Sequence, residues 1–398
     1  MKGETAMLAV SHLLADVESY GDQLRYSEGS RGHRTGTHSG AGPVVVWSVT
    51  RSCNLKCMHC YANSENKKYE GELDTQEALR LIDEMAEMKV PVILFSGGEP
   101  LARPDIFQLA EYAIGKGIRI TFSTNGTLID EAAARRIKEL GVGYVGISLD
   151  GIGEVHDYFR NRTGAFELAM RGVRNCISQG QKVGLRFTMN RHNIAQLPLI
   201  FELMEKEGIQ RACFYHMVYT GRGSLSDDIS HEETRAALDY IFEKARDFNR
   251  RGLHKELLTV DNHADAVYLY MKALELNEER AADILRKLRM NGGNRTGIAI
   301  CNIDHQGNVH PDQFTPDITF GNVKQEAFRD IWFGSHPVLT GLRDRKPLLS
   351  GRCGSCRYLD ICNGNFRSRS LAVHGDLWAD DPACFLRDEE IRQELAVR

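Results

Sequence analysis

Three cysteines lie within eight residues, at Cys53, Cys57 and Cys60, with the spacing C-x3-C-x2-C. They directly follow residues 44–50 (VVVWSVT), whose β-branched and apolar side chains predict a strand. Three thiolates from one loop can bind three irons of a [4Fe–4S] cluster, which leaves the fourth iron open to a small molecule. A structural zinc ion is the alternative, but it would require a fourth protein ligand. His59 lies between two of the cysteines and is poorly placed to share one ion with all three.

A second group of four cysteines lies near the C-terminus of the chain. Its members are Cys353, Cys356, Cys362 and Cys384. Four thiolates can bind every iron of a [4Fe–4S] cluster, so that no iron remains for a substrate. A structural zinc ion suits the same C-x2-C spacing with later cysteines equally well. The spacing therefore predicts a closed metal site and leaves its metal open.

Small polar side chains and glycines follow several apolar runs between these two groups. In residues 96–100 (SGGEP), two glycines permit close approach of the backbone to a ligand, and Glu99 can accept a hydrogen bond from an amine. Hydroxyl and amide groups after the next runs suit a ribose or a carboxylate. Each of these stretches, taken alone, is also explained by turn and cap chemistry. The candidate cofactor-binding residues are Gly97, Gly98, Glu99, Pro100, Ser123, Asn125, Ser148, Asp150 and Arg186.

Six short apolar runs position these groups and alternate with helical patterns. They are residues 44–50, 91–95, 118–123, 144–149, 183–189 and 211–216. Asp74 with Glu77 resembles a capping box, and Gly141 follows the end of a helical pattern. Alternating strands and helices predict parallel βα units in an α/β fold. The candidate residues are then expected to meet at the carboxyl ends of the strands.

The cysteine loop and the GGEP stretch together resemble the signature of the radical S-adenosylmethionine (SAM) enzymes. The resemblance implies a partial (β/α)6 barrel, with the cysteines on a [4Fe–4S] cluster and GGEP beside the amino group of SAM. One electron from the cluster then cleaves SAM to a 5′-deoxyadenosyl radical. The family often has an aromatic residue before the third cysteine, where this chain has His59.

The second cysteine group resembles the SPASM or twitch-like extension of the same family. The full extension carries two auxiliary clusters, but Asp312 and Phe366 replace two of the expected cysteines. The resemblance therefore implies one auxiliary [4Fe–4S] cluster and two clusters in all. It also divides the chain into four predicted parts: an N-terminal extension and linker (1–43), the partial barrel (44–224), a helical bridging region (225–300) and the SPASM-like domain (301–398).

Several further stretches resemble the branch of the family that modifies tetrapyrroles, above all the didecarboxysiroheme deacetylases. These stretches include residues 214–216 (FYH), 221–223 (GRG) and 364–369 (GNFRSR). The resemblance implies removal of acetate side chains from didecarboxysiroheme to give iron-coproporphyrin III in haem biosynthesis. A haem d-type precursor synthase, an iron-coproporphyrin decarboxylase and a SPASM peptide maturase are the alternatives within the family. A non-catalytic iron–sulfur or zinc protein is the alternative outside it, but such a carrier needs no SAM pocket.

A substrate with many carboxylates favours arginine and histidine donors. The candidate catalytic residues are Tyr215, His216 and Arg222. Further candidates for the substrate are Arg367, Arg369, His263 and His310, of which the two arginines are expected to form a wall with Trp378. A surface position is the alternative for each charged residue. The resemblance also implies a low-potential electron donor such as flavodoxin or ferredoxin.

The composition narrows the range of partners. Fifty basic and 54 acidic residues give a net charge of −4 without a long block of like charge, which argues against nucleic acid and anionic membranes. No apolar run approaches the ~20 residues of a membrane span, and no signal-peptide pattern is found. Ten cysteines in this context predict a reducing, cytoplasmic location.

Overall fold

A computed structural model describes residues 7–18, 21–26, 42–276 and 278–392. Within these ranges one sheet contains eleven strands. The strands are β1 (Met7–Ala9), β2 (Val44–Thr50), β3 (Val92–Gly97), β4 (Arg119–Thr124), β5 (Tyr144–Ser148), β6 (Val183–Thr188), β7 (Arg211–Tyr215), β8 (Glu256–Val260), β9 (Ile300–Ile303), β10 (Asn308–His310) and β11 (Gly321–Asn322). Their order in the sheet is β1-β8-β7-β6-β5-β4-β3-β2-β9-β10-β11.

The middle of the sheet is parallel, as the alternating pattern predicts. Strands β2 to β7 correspond to the six predicted strands, and each pairs in parallel with the next. Every residue of β2 is buried, which explains its continuous apolar sequence. Trp47 and Phe95 pack across β2 and β3, with ring centroids 5.8 Å apart, in the main core. On the opposite face Val44 and Val46 belong to a separate apolar cluster inside the curved sheet.

Helices connect the parallel strands. The helices are α1 (Val10–Ala15), α2 (Asp22–Tyr26), α3 (Thr75–Glu87), α4 (Ile106–Gly115), α5 (Glu131–Glu139), α6 (Glu154–Arg160), α7 (Ala165–Ser178), α8 (Leu197–Lys206), α9 (His231–Arg250), α10 (Ala264–Leu276), α11 (Glu278–Asn291), α12 (Phe328–Phe333), α13 (Pro337–Arg343), α14 (Gly351–Gly354), α15 (Leu359–Cys362), α16 (Arg367–His374) and α17 (Asp388–Ile391). The predicted capping box of α3 is present, with Asp74 and Glu77 each accepting from the other's backbone N–H. No helix among the described residues is long and apolar enough to cross a membrane.

The two ends of the chain add strands that short sequence patterns did not predict. The bridging region contains helices α9 to α11 but also β8, which continues the parallel sheet beside β7. The N-terminal extension contributes β1, which pairs antiparallel with β8. The same extension also contains the two short helices α1 and α2. The linker is predicted at residues 28–43, of which residues 28–41 lie outside the described residues. The domain boundaries stay predictions.

The strand directions place the candidate residues together. Because β2 to β8 are parallel, the loops that follow them lie at one edge of the sheet. The C-terminal segment joins this arrangement through β9, which pairs in parallel with β2 on the side away from β3. The cysteine loop after β2 therefore lies between the barrel and the C-terminal domain.

Candidate active site

A cleft with an empty volume of about 1090 Å³ opens at the carboxyl ends of the parallel strands. The predicted residues that line it are Cys53, Cys57, Cys60, Gly97, Gly98, Ser123, Asn125, Ser148, Arg186, Tyr215 and His216. Four other predicted residues, Glu99, Pro100, Asp150 and Arg222, do not line the cleft. The contacts of Glu99, Asp150 and Arg222 show that these three residues support the residues that line the cleft.

The two glycines of the GGEP stretch receive the cysteine loop. A Cβ atom at Gly97 would lie 2.3 Å from the carbonyl oxygen of Thr50, and one at Gly98 would lie 2.2 Å from that of Ser52. The positive φ of +117° at Gly97 also favours glycine. The N–H of Gly98 donates to the Thr50 carbonyl at 2.8 Å. The glycines therefore hold the strand end from which the cysteines project.

Glu99 is fully buried and its carboxylate is occupied by donors from the protein. It accepts from the Thr124 hydroxyl at 2.7 Å, from the Asn125 N–H at 2.8 Å and from the Leu101 N–H at 3.1 Å. The sequence suggested that Glu99 accepts directly from the amine of SAM. The observed contacts show that it orients the turn after β4, and the contact with the amine of SAM stays a prediction.

Asn125 connects that turn to the cysteine loop. Its Nδ2 donates to the Asn54 side chain at 2.8 Å and lies 3.9 Å from the Cys53 sulfur. Its Oδ1 accepts from the N–H and the hydroxyl of Thr127. Hydrogen bonds thus run from Glu99 to Asn125, and the Asn125 side chain reaches both Asn54 and the sulfur of the first cysteine.

Arg160, which the sequence analysis did not select, lies beside the second cysteine. Its Nη1 donates to the Cys57 sulfur at 3.4 Å, and its other terminal nitrogen forms an ion pair with the fully buried Asp150. Burial disfavours the charged carboxylate, but the adjacent guanidinium outweighs it and brings the pKa of Asp150 below its ordinary value. His59 Nε2 lies 3.6 Å from the same carboxylate. Asp150 therefore positions Arg160 and does not face the cleft.

Arg222 also acts on the backbone of the cysteine loop. Its Nε donates to the Cys57 carbonyl at 2.7 Å, and its Nη2 donates to the Ser64 carbonyl at 3.2 Å. A Cβ atom at Gly221 would lie 2.4 Å from the Cys60 carbonyl oxygen. The Gly-Arg-Gly turn is thus packed against the loop. These contacts engage Arg222 with the loop, and its predicted catalytic role stays a prediction.

Tyr215 and His216, at the end of β7, do face the cleft. The Arg186 guanidinium lies 4.7 Å from the Tyr215 ring centroid, within the range of a cation–π contact. His216 Nε2 lies 2.9 Å from the fully buried Asp265 carboxylate. An inner cavity of about 600 Å³ adjoins the cleft, and Arg186 and Tyr215 border both. These residues therefore stand where the two spaces meet.

The four cysteines of the second group surround a different cavity. Its empty volume is about 410 Å³, and Cys353, Cys356, Cys362 and Cys384 all line it. Within the described ranges, no three His, Cys, Asp or Glu side chains converge as the ligands of one ion would. Four thiols around a shared void fit an iron–sulfur cluster, whose irons take separate thiolates.

The expected arginine wall is not formed. Arg369 is fully buried, donates to both Asp381 oxygens at 2.9 and 2.8 Å, and donates to the Met217 carbonyl at 3.0 Å. Arg367 is also buried and donates to the carbonyls of Leu377, Ala379 and Gly364. Neither these arginines nor Trp378 are among the described residues that line the cleft or the inner cavity. Both guanidinium groups are therefore engaged in contacts within the protein, and Arg369 also joins the C-terminal domain to the barrel.

The two histidine candidates also lie away from the cleft lining. His310 Nδ1 contacts the Ile318 carbonyl at 2.8 Å, and its Nε2 lies 3.4 Å from Asp304. His263 is buried, and its backbone N–H donates to the Asn365 side-chain oxygen at 2.6 Å. Both residues connect loops of the C-terminal half.

Sequence reasoning missed Tyr61, Gln313 and Phe314 as well as Arg160. Tyr61 lines the cleft, and its hydroxyl lies 2.9 Å from that of Ser96. Its ring packs edge-on against Phe314 at 5.4 Å. Tyr61 could have been found from its position directly after Cys60. Gln313 and Phe314 could have been found from their place in the stretch 310–314 (HPDQF).

Comparisons with known proteins agree with this architecture. Residues 47–204 match the model of the Radical SAM superfamily, and residues 296–357 match that of the SPASM iron–sulfur cluster-binding domain. The Streptococcus suis protein SuiB, solved with bound S-adenosylmethionine, aligns with a TM-score of 0.70 at 17% identity. That alignment covers 87% of this chain and 78% of SuiB, and at this identity it supports the fold alone.

Three curated relatives are more similar in sequence. The Fe-coproporphyrin III synthase of Methanosarcina barkeri is 50% identical, over 97% of this chain and 99% of the relative. The Pre-heme d1 synthase of Dinoroseobacter shibae is 43% identical, over 87% of both chains. The AdoMet-dependent heme synthase of Oleidesulfovibrio alaskensis is 35% identical, over 86% of both chains. The chain therefore belongs to the radical SAM enzymes with a SPASM domain, in the branch that modifies tetrapyrroles, and it uses SAM and iron–sulfur clusters.

Proposed function

We propose that this enzyme removes the acetate side chains of didecarboxysiroheme and forms iron-coproporphyrin III in haem biosynthesis. The observation that carries the proposal is the 50% identity, along nearly the whole chain, to a relative named for that product. A pre-haem d1 type of reaction is the second candidate, since the relative of that name is 43% identical. Both candidates act on an iron-containing tetrapyrrole.

The cysteine groups are the residues that would hold the two clusters. We assign Cys53, Cys57 and Cys60 to the cluster that binds SAM, because all three line the cleft. The four C-terminal cysteines are assigned to the auxiliary cluster, because they surround one cavity. When bound, the first cluster and SAM supply a 5′-deoxyadenosyl radical, which can remove a hydrogen atom from an unactivated carbon.

The residues around the cleft prepare it for an anionic substrate. Ser123 and Ser148 present hydroxyls at the ends of β4 and β5, where SAM is expected to bind. Arg160 and Arg186 are the arginines among the described residues that line the cleft. Arg186 borders both the cleft and the inner cavity, so we assign the binding of a substrate carboxylate to Arg186. His216 is held by Asp265 in one orientation toward the same space.

The electron that starts each cycle has to come from a partner. We infer a low-potential donor such as flavodoxin or ferredoxin, acting in the cytoplasm under anaerobic conditions. The ten cysteines, most of which are assigned to metal sites, suit a reducing compartment.

The function is tested by an anaerobic reaction of the reconstituted enzyme with SAM, reductant and didecarboxysiroheme. Mass spectrometry should show loss of two acetate groups and formation of iron-coproporphyrin III, together with 5′-deoxyadenosine. A variant without Cys53, Cys57 and Cys60 serves as the control for radical chemistry. A tetrapyrrole product with another set of side chains would favour the pre-haem d1 type instead. No change in the tetrapyrrole would refute both.

A further inference from the structure

The polar stretch of residues 261–265 (DNHAD) after β8 has one member whose role is still unexplained. Asn262 donates to the Ala383 carbonyl at 2.9 Å and accepts from Asn365 at 2.8 Å. The neighbouring His263 N–H also bonds Asn365, and Asp265 holds His216. These contacts join the end of β8 to the C-terminal domain and to β7. Asp261 takes part in none of them.

Asp261 borders both the cleft and the inner cavity, although its side chain is mostly buried. Within the part of the chain that the structure describes, its carboxyl has neither a hydrogen bond nor an ion pair. Its φ of +67° lies in the left-handed region, which non-glycine residues occupy rarely. Such backbone strain tends to be retained where it serves a function.

Among the described residues, the charged and titratable groups with the largest electrostatic effect on Asp261 lie on other elements, and none forms a hydrogen bond or ion pair with it. They are Arg369, Arg186, Asp312 and His216. Arg369 is already paired with Asp381 on both oxygens, and Arg186 is stacked on Tyr215. Asp312 accepts from the hydroxyls of Thr296 and Thr315 and adds repulsion. Burial therefore outweighs the attraction of the two arginines and raises the pKa of Asp261 to about 7.

We propose that Asp261, in its protonated form, donates a proton to the acetate group that leaves the substrate. This inference rests on the proposed deacetylation. After a hydrogen atom is removed from the neighbouring ring carbon, the bond to the acetate arm breaks homolytically. One of its electrons completes a ring double bond, and the arm departs as the ·CH2–COO⁻ radical. One electron from a low-potential donor and the proton from Asp261 convert that radical to acetate. The ionised Asp261 then takes a proton from solvent.

Deuterium incorporation into acetate tests this step in the wild-type holoenzyme. The alternative is return of the hydrogen atom from 5′-deoxyadenosine, which carries no solvent hydrogen. The reaction in D2O should therefore give acetate with one deuterium. Acetate without deuterium would overturn the role of Asp261 while leaving deacetylation in place. Absence of both acetate and iron-coproporphyrin III would overturn the proposed function and this inference with it.

The Asp261→Asn variant tests which residue supplies the proton. Asparagine tolerates left-handed backbone and keeps the shape of the side chain, but it cannot donate a carboxylic proton. We expect acetate formation to fall about 100-fold, in line with loss of a general acid, whereas 5′-deoxyadenosine still forms. The wild-type rate should decline as the pH rises through about 7, and that decline should be absent in the variant. The exposed Asp344→Asn is the matched control and should behave as wild type. Deuterated acetate at the full rate from Asp261→Asn would assign the proton to another group.

A stability measurement provides a readout that does not depend on turnover. Because the folded-state pKa of Asp261 is raised, ionisation of this group costs stability as the pH rises from about 4 to about 7. The melting temperature of Asp261→Asn should therefore increase relative to that of the wild type as the pH rises through this window. The difference should be smallest at the acid end. A constant difference between pH 5 and 8 would show that the carboxyl is ionised throughout, and the proposal would fail.

Discussion

The cysteine loop after β2 and the four-cysteine site near the C-terminus hold their thiols with different neighbours. The first loop is fixed from outside, by Arg222 on its carbonyls and by Asn125 and Arg160 at its sulfurs, and one side remains the cleft. The second site is enclosed by its own domain, and the adjacent Arg369 and Asp381 are fully buried. A site that must admit SAM and substrate is supported through its backbone, whereas a closed site is supported by packing and internal charge.

The largest effect is expected from removing the open site. Replacing Cys53, Cys57 and Cys60 by Ala should abolish 5′-deoxyadenosine formation, because no thiolate remains to hold the cluster that binds SAM. Since the second site has its own ligands and its own support, iron content should fall from about eight to about four per chain. Iron analysis and electron paramagnetic resonance after anaerobic reconstitution measure this. A triple variant without any iron would show that the two sites are not independent.

Loss of one ligand at the closed site should separate the two activities. Cys384 lies between Ala383, whose carbonyl accepts from Asn262, and Phe385, whose carbonyl accepts from Arg235. Cys384→Ala should therefore disturb the end of β8 and reduce tetrapyrrole turnover by at least about 10-fold, as for weakened metal sites generally. Formation of 5′-deoxyadenosine without substrate should persist. Unchanged turnover of didecarboxysiroheme would contradict a structural or redox role for this cluster.

Breaking the buried ion pair tests how the closed site is supported. Arg369→Met leaves the Asp381 carboxylate buried without its partner, which should cost about 3–5 kcal/mol of unfolding free energy. Arg136→Met, which removes an exposed pair with Glu111 away from the cysteines, is the control and should cost about 1 kcal/mol or less. Anaerobic denaturant unfolding measures both. Equal losses of unfolding free energy would show that burial of the Arg369 pair does not increase its contribution to stability.

A smaller effect is expected where the open site is supported at a distance. Glu99→Gln replaces a carboxylate that accepts three hydrogen bonds, so the turn carrying Asn125 should shift at a cost of about 1–3 kcal/mol. Affinity for SAM should weaken by roughly 10-fold, measured by anaerobic equilibrium dialysis. The exposed Glu87→Gln should bind SAM as wild type does. Unchanged affinity in Glu99→Gln would mean that the turn does not contribute to SAM binding.

Local patterns predicted the central strands, because each is a short uncharged run with a turn on either side. The same approach missed β1 and β8, which are recognisable as strands only through their pairing with each other and with β7. Sequence patterns also predicted that most of the residues lining the cleft lie close together, since they follow parallel strands. They could not predict what Arg222 does, because its partner Cys57 lies 165 residues away in the sequence. The assignment of individual cysteines to clusters stays a prediction.

The position of β2 in the sheet has a consequence for biosynthesis. One edge of β2 pairs with the nearby β3, but the other pairs with β9, and the contact from Asn302 to Val46 spans 256 residues. During translation this uncharged seven-residue strand therefore keeps an unpaired edge until most of the chain has left the ribosome. Exposed strands of this composition promote aggregation. We expect a chain truncated at residue 224 to aggregate, so that cluster insertion has to follow completion of the whole polypeptide.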